Sequence, residues 1–150
     1  MEQTLVILKP DCVKRGLIGE IIKRFEAAGL LIVAMKMLSL SREEAAKFYY
    51  VHKDRDFYEG LLEFMSFGRV VVMVIEGERA IERTREMIGA TDPLQADEGT
   101  IRAELAENNR RNLVHGSDST AAAREEINFF FKPDEILSSE FGGTRNPKLR

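Results

Sequence analysis

The chain has 150 residues, of which 44% are hydrophobic and 31% are charged. This size and balance are typical of one folded domain with a substantial core, and they exclude a collagen-like, mucin-like or wholly disordered chain. The formal net charge of −3 argues against a specific nucleic-acid partner, because binding to nucleic-acid backbones usually requires a basic excess. We therefore expect a single domain over residues 1–150, with a peripheral tail at residues 138–150.

The cysteine content and the N-terminal segment indicate where the protein resides. The single cysteine, Cys12, cannot form an internal disulfide, and the first residues lack the basic region of a signal peptide. The apolar runs are far shorter than the roughly 20 residues that span a bilayer. We expect a cytoplasmic protein without a membrane partner.

The chain begins with an alternation of strands and helices. Leu5–Leu8 predicts a buried strand that ends at the turn Lys9-Pro10-Asp11. Apolar residues spaced i, i+3, i+4 and i+7 predict a helix over residues 18–25, which Gly29 ends. A second, mostly apolar strand is predicted over Leu30–Leu38.

Two capping patterns predict a helical arm after this second strand. Ser41 and Glu44 form a capping-box pattern, which predicts a helix that runs toward Tyr50. Asp56 and Glu59 repeat the pattern and predict a second short helix on the same arm.

The middle of the chain holds the strongest strand signal. Val70–Ile75 is nearly all β-branched, which favours a strand, and Glu78–Ile88 predicts a helix closed by Gly89. The polar segment 90–111 contains proline and glycine and predicts an irregular loop.

The last elements complete the predicted fold. Asn112–His115 predicts a brief strand, and Ser117 or Asp118 is expected to cap a final helix that Pro133 ends. The resulting order favours an α+β fold, a ferredoxin-like split β-α-β sandwich with a four-stranded antiparallel sheet and its helices on one face. A small parallel α/β sheet has the same alternation and stays open as an alternative.

The common nucleotide-binding and metal-binding motifs are missing from the sequence. It has no Gly-x-Gly pair and no P-loop, so any phosphate must be held by side chains. Two separated histidines and one cysteine do not form a zinc-binding pattern.

Two short segments contain side chains that could bind or carry a phosphoryl group. Lys9 follows a buried strand and suits a phosphate oxygen, although a polar turn after a strand is common. His115 lies between a strand and a helix start, where an anion is favoured, and histidine can carry a phosphoryl group on its ring. A histidine that merely bonds a capping residue is the alternative.

A third set of residues is informative only as a group. Two arginines and a threonine could bind phosphate oxygens, and two aromatic residues could stack a base or pack the arm. These residues are Tyr49, Phe57, Arg85, Thr91 and Arg102.

Several segments agree in order and spacing with one family. The strongest are LKPDCVKRGLIGEII near the start and NLVHGSDS near the end, with YYVHKDRDFY, MIGATDP and GTIR between them. From Thr4 to about Pro133 the chain resembles the nucleoside diphosphate kinases. It departs from their common pattern at Cys12, where glycine is usual, and at Asp56 and Arg69, where proline is usual.

The resemblance implies a function and a role for each matching residue. Members move the terminal phosphoryl group of a nucleoside triphosphate to a nucleoside diphosphate by a ping-pong mechanism, with little base discrimination. His115 matches the phosphorylated histidine, Phe57 matches the base-stacking residue, and Ser117 and Glu126 match residues that orient the histidine. The residues that match contacts to phosphate, sugar or histidine are Lys9, Tyr49, Arg85, Thr91, Arg102 and Asn112.

The resemblance also implies partners. Mg²⁺ is expected on the nucleotide phosphates, with no metal site made by the protein alone, and a homo-oligomer (hexamer or tetramer) is expected. A non-catalytic ferredoxin-like module that binds nucleotide or associates with nucleic acid is the competing hypothesis. A protein-histidine phosphotransfer module is a further one, but such modules are typically helical bundles.

Overall fold

The computed structural model describes residues 1–139, which form a four-stranded sheet and seven α-helices. The strands are β1 (Glu2–Leu8), β2 (Leu31–Ser39), β3 (Arg69–Gly77) and β4 (Val114–Gly116). The helices are α1 (Pro10–Lys14), α2 (Ile18–Ala27), α3 (Arg42–Phe48), α4 (Tyr58–Ser66), α5 (Ala80–Ile88), α6 (Ile101–Leu105) and α7 (Thr120–Phe130). The strand order is β2-β3-β1-β4 and every pairing is antiparallel, which confirms the predicted α+β fold and excludes the parallel alternative.

Helices cover both faces of this sheet, so the prediction that they lie on one face is wrong. Leu5 and Val72 belong to a core cluster that contains residues of α3, α4 and α7. Val6 and Met73, their neighbours in sequence, belong to a second cluster with residues of α2, α5 and α6. The physical reason is that β1 and β3 are apolar at consecutive positions, and a strand of this kind must be buried on both faces.

Helix starts differ from the predicted ones at two places. The side chain that caps α7 is Ser119, which accepts from the backbone N–H of Ala122, and neither Ser117 nor Asp118 caps this helix. Helix α4 begins after Phe57 without a side-chain cap, so the capping role predicted for Asp56 is wrong. Both errors arise because capping residues are common in loops, and the backbone path decides which of them reaches an N–H.

Other predictions hold more closely. The capping box of α3 is present, with Ser41 and Glu44 bonded to each other's backbone N–H groups. The prediction of an irregular loop over residues 90–111 is wrong in part, because the segment contains helix α6 and a short 3₁₀ turn at Pro93–Gln95. No helix within residues 1–139 combines the length and apolarity that crossing a membrane requires. Of the predicted tail, residues 140–150 lie outside the described residues.

Candidate active site

Two adjacent strands bring Lys9 and His115 to one cavity. Ile7 of β1 pairs with His115 of β4, and the Lys9 N–H donates to the Leu113 carbonyl at 2.8 Å. The cavity has a volume of about 1460 Å³. It lies between this end of the sheet, the helical arm of residues 42–66 (α3 and α4) and the loop before β4. Of the ten predicted site residues, nine line it: Lys9, Tyr49, Phe57, Arg85, Thr91, Arg102, Asn112, His115 and Glu126. Ser117, the tenth, is fully buried.

One ring nitrogen of His115 is occupied by a carboxylate. Nε2 lies 2.8 Å from Oε1 of Glu126, and the two side chains are about one-fifth exposed. In the neutral tautomer that this contact favours, the proton is on Nε2 and the lone pair is on Nδ1. Nδ1 has no hydrogen-bond partner among residues 1–139. The arrangement leaves Nδ1 available as a nucleophile.

Ser117 connects that carboxylate to the sheet. Its hydroxyl donates to Oε1 of Glu126 at 2.8 Å, and Oγ of Ser117 accepts from the Leu5 N–H at 3.2 Å. The Ser117 N–H donates in turn to the Leu5 carbonyl at 3.1 Å. Glu126 is therefore held against β1 as well as against the ring, which fixes the orientation of the imidazole.

Lys9 is a buried cation held by a neutral partner. Its side chain is 8% exposed, and Nζ donates to Oδ1 of Asn112 at 2.8 Å. Nδ2 of Asn112 donates to the carbonyls of Thr91 and Asn109 at 3.0 and 3.2 Å. Burial, reinforced by the charge of Arg102, lowers the pKa of Lys9 to about 8, while Asp11 opposes that shift. At neutral pH the ammonium is still charged.

Arg102 is fixed by three backbone carbonyls. Its guanidinium donates to the carbonyls of Asn112, Gly89 and Val114 at 3.3, 3.0 and 2.6 Å. Burial and then the charge of Arg85 lower its pKa to about 10, so it remains a cation at neutral pH. Arg85 donates to the Gly116 carbonyl at 3.3 Å.

Lys9, Arg85 and Arg102 together form what we call the cationic wall. Within the described part of the chain, none of the three is in an ion pair with a carboxylate. Burial is the main cause of the lowered pKa values of Lys9 and Arg102, and the neighbouring positive charges add to it. The arrangement is suited to a polyanion such as a di- or triphosphate.

The opposite side of the cavity is aromatic. Tyr49 is buried, with its ring centroid 6.4 Å from that of His115, and its hydroxyl has no hydrogen-bond partner among residues 1–139. Burial, with the charge of Glu126, raises the pKa of Tyr49, so the hydroxyl stays protonated and can donate to a ligand. Phe57 is 40% exposed beside His52, and such a half-exposed ring can stack a base.

Three residues near the site were not among the predicted site residues. Phe48 packs edge-on against His115 at 5.6 Å, and no sequence signal distinguishes it from an ordinary core residue. Asp11 accepts a hydrogen bond from the backbone N–H of Leu113 beside the site, and its position in the Lys9-Pro10-Asp11 turn was the sequence signal that could have identified it. Burial raises the pKa of the Cys12 thiol to about 12, so Cys12 is not a thiolate nucleophile at neutral pH.

The donor set of the cavity bears on the expected Mg²⁺. Residues 1–139 contain no cluster of three or more histidine, cysteine, aspartate or glutamate side chains able to hold a metal ion. Mg²⁺ often takes most of its protein-site ligands from substrate phosphates and water, so the nucleotide phosphates would hold the ion here.

Comparisons with known proteins identify one family. A family profile described as nucleoside diphosphate kinase matches residues 2–136. Nucleoside diphosphate kinase 1 of Protochlamydia amoebophila is 61% identical over 135 residues, 90% of this chain and 96% of that protein. A nucleoside diphosphate kinase of Nitrosococcus oceani is 58% identical over 136 residues, 91% of this chain and 95% of its own.

Solved structures give the same result. The Aquifex aeolicus nucleoside diphosphate kinase has a TM-score of 0.89 at 45% identity, covering 91% of this chain and 99% of that one. A halophilic nucleoside diphosphate kinase from Halobacterium salinarum, solved in complex with CDP, has a TM-score of 0.89 at 42% identity, covering 91% of each chain. On the evidence of its sequence, sheet topology and overall shape, the chain belongs to the nucleoside diphosphate kinase family.

Proposed function

We propose that this protein transfers the terminal phosphoryl group of a nucleoside triphosphate to a nucleoside diphosphate through a phosphohistidine at His115. The observation that carries the proposal is the His115 ring itself. Glu126 holds Nε2, Nδ1 has no partner within residues 1–139, and the cationic wall lines the same cavity.

The proposed reaction has two half-steps. The Nδ1 lone pair of His115 attacks the γ-phosphorus, the bond from phosphorus to the bridging oxygen breaks, and the diphosphate leaves with that electron pair. A terminal oxygen of a second diphosphate then attacks the phosphohistidine, and the N–P electron pair returns to Nδ1. The proton on Nε2 stays in its bond to Glu126 throughout, so the ring needs no further base.

The cationic wall supplies the electrostatic part of the mechanism. Phosphoryl transfer spreads negative charge over the equatorial oxygens, and fixed cations stabilise that charge. Mg²⁺ bound to the nucleotide phosphates would neutralise further charge. Arg102 is suited to this role because three carbonyls already hold its guanidinium in place.

The aromatic side of the cavity supports low base selectivity. A ring such as Phe57 can stack any base because every base has a π-face. Thr91 and Tyr49 line the same cavity and offer hydroxyl groups to the phosphates or the sugar. We therefore propose that purine and pyrimidine nucleotides are both substrates.

The test is to incubate the protein with γ-labelled ATP and no acceptor. We expect a label on the protein that is stable to base and lost in acid, and that transfers to any added diphosphate. His115→Ala should lose the label and lower the transfer rate by about 10⁴-fold or more. His52→Ala, which removes the chain's other histidine, should still be labelled. A labelled His115→Ala protein would refute the assignment.

The same experiment separates the competing hypothesis. A non-catalytic nucleotide-binding module would bind ATP without becoming labelled. The assembly into a hexamer or tetramer and the cytoplasmic location stay predictions. Light scattering after size-exclusion chromatography would determine the number of subunits.

A further inference from the structure

Asp11 is a buried carboxylate that the proposed reaction does not use. It is 8% exposed at the start of α1, two residues after Lys9. Its Oδ2 accepts from the backbone N–H of Leu113 at 3.1 Å, and its Oδ1 has no partner within residues 1–139. A buried carboxylate with only one of its oxygens hydrogen-bonded lowers the stability of the fold, so packing alone does not explain its presence.

Its partner, Leu113, has an unusual backbone conformation. The φ angle of Leu113 is +75°, in the left-handed region that residues other than glycine rarely adopt, and the Val114 N–H donates to the Asn112 carbonyl at 2.9 Å across this tight turn. Asp11 binds the N–H of Leu113, and the Lys9 N–H binds its carbonyl at 2.8 Å. The corner between β1 and α1 therefore fixes both polar groups of this residue.

The left-handed turn sets the positions of two functional side chains. Asn112, on one side of Leu113, accepts from the Lys9 ammonium. His115 follows two residues after Leu113, on β4. A change in the Leu113 backbone would move the partner of Lys9 and the nucleophile together.

Asp11 also acts on the site through its charge. The charged groups that act on Lys9 are Arg102 of α6, which favours loss of the ammonium proton, and Asp11 of α1, which opposes it. Arg85 of α5 acts on Arg102, and the loop arginines Arg110 and Arg111 line the same cavity. Against this set of cations, Asp11 is the negative group that raises the pKa of Lys9.

We propose that Asp11 is a positioning residue of the phosphate site. Its carboxylate holds the left-handed Leu113 turn that places Asn112 and His115, and it places a negative charge two residues from Lys9. This inference rests on the proposed function only for the role of the Lys9 charge in phosphoryl transfer. The effect of Asp11 on the pKa of Lys9 does not depend on catalysis.

A merely structural role for Asp11 makes a different prediction. If Asp11 acted only as a hydrogen-bond acceptor for Leu113, the amide oxygen of an asparagine would replace it, and Lys9 would titrate as before. If the charge matters, Asp11→Asn keeps the shape and the acceptor but changes the ionisation of Lys9. The two roles therefore separate in a titration and not in a stability measurement.

The decisive measurement is an NMR titration of the Lys9 ammonium in the wild type and in Asp11→Asn. We expect a midpoint near pH 8 in the wild type and a midpoint about one pH unit lower in the variant. The basic side of the kcat/KM pH profile for phosphoryl transfer should move by the same amount. Asp134→Asn, an exposed carboxylate after α7, is the matched control and should leave both midpoints unchanged.

Two titration results would contradict the role of Asp11. An unchanged Lys9 midpoint in folded Asp11→Asn would overturn it. If that variant does not fold, a carboxyl NMR titration of wild-type Asp11 decides instead. We expect Asp11 to be ionised at pH 7 although burial raises its pKa, and a protonated Asp11 at that pH would overturn the proposal. Neither NMR titration depends on activity, so failure of the proposed function would show separately as an absence of transfer.

Discussion

The end of the sheet and the helical arm line the same cavity, but they are held in different ways. Lys9, Arg102 and His115 are fixed by hydrogen bonds to partners on other elements or to backbone carbonyls. The arm, residues 42–66, packs on the sheet through apolar residues of α3 and α4, and its side-chain hydrogen bonds are within the arm or to adjacent residues, such as the capping box at Ser41 and the bond from Lys53 to Tyr50. The proposed reacting groups therefore lie on the side where hydrogen bonds join residues far apart in sequence.

The difference follows from what each side has to do. Transfer between oxygen and nitrogen requires the attacking atom and the stabilising cations to be placed within a fraction of an ångström. Stacking a base requires area and a flat ring, and it tolerates small displacements. Substitutions on the sheet side should therefore lower kcat, and substitutions on the arm should mainly raise KM.

The largest effect among these substitutions is expected at Arg102. Arg102→Met removes a fixed cation from the phosphate site, and kcat/KM should fall by about 10²–10³-fold. Arg102→Lys keeps the charge but loses the three carbonyl bonds, so it separates charge from placement. Arg124→Met, an exposed arginine on α7, is the control. Activity of Arg102→Met equal to that of Arg124→Met would contradict the role of the wall.

A smaller loss is expected at Glu126. Glu126→Gln keeps an oxygen for the His115 ring but removes the charge that fixes its tautomer, and the labelling rate should fall by about 10- to 100-fold. Glu26→Gln, at an exposed position of α2 outside the cavity, should change the rate far less. Rapid-quench measurement of phosphohistidine formation checks this step directly. Equal rates for the two variants would show that Glu126 does not orient the ring.

The smallest effect on chemistry is expected at Phe57. Phe57→Ala removes the half-exposed ring and should raise KM for every nucleotide by about 10-fold, with kcat nearly unchanged. Phe57→Tyr keeps a flat ring and should retain the wild-type KM. Steady-state kinetics with a purine and a pyrimidine diphosphate test both statements. A fall in kcat without a rise in KM would break the contrast between the two sides.

A pattern within a few residues was enough to predict much of the fold. The continuous apolar runs of β1 and β3 predicted buried strands, and the spacing of Ser41 and Glu44 predicted the cap that α3 has. The same patterns misplaced the cap of α7 at Ser117 or Asp118, because several side chains there have the required chemistry and only Ser119 reaches the backbone. Helix α6 was missed because it is only five residues long.

The motifs around Lys9 and His115 agree in order and spacing with one family, and they were enough to predict the residues of the candidate site. The tertiary structure adds the contacts that these motifs do not specify. Pairing of β1 with β4 brings Asp11 to the N–H of Leu113 across 102 positions of sequence, and it lets Ser117 connect Glu126 to Leu5. Local sequence patterns cannot specify such contacts, because hydrogen bonds between distant residues depend on strand register and backbone conformation. The net charge of −3 likewise does not reveal a local cluster of positive charge. Folding brings Lys9, Arg85 and Arg102 together around one cavity.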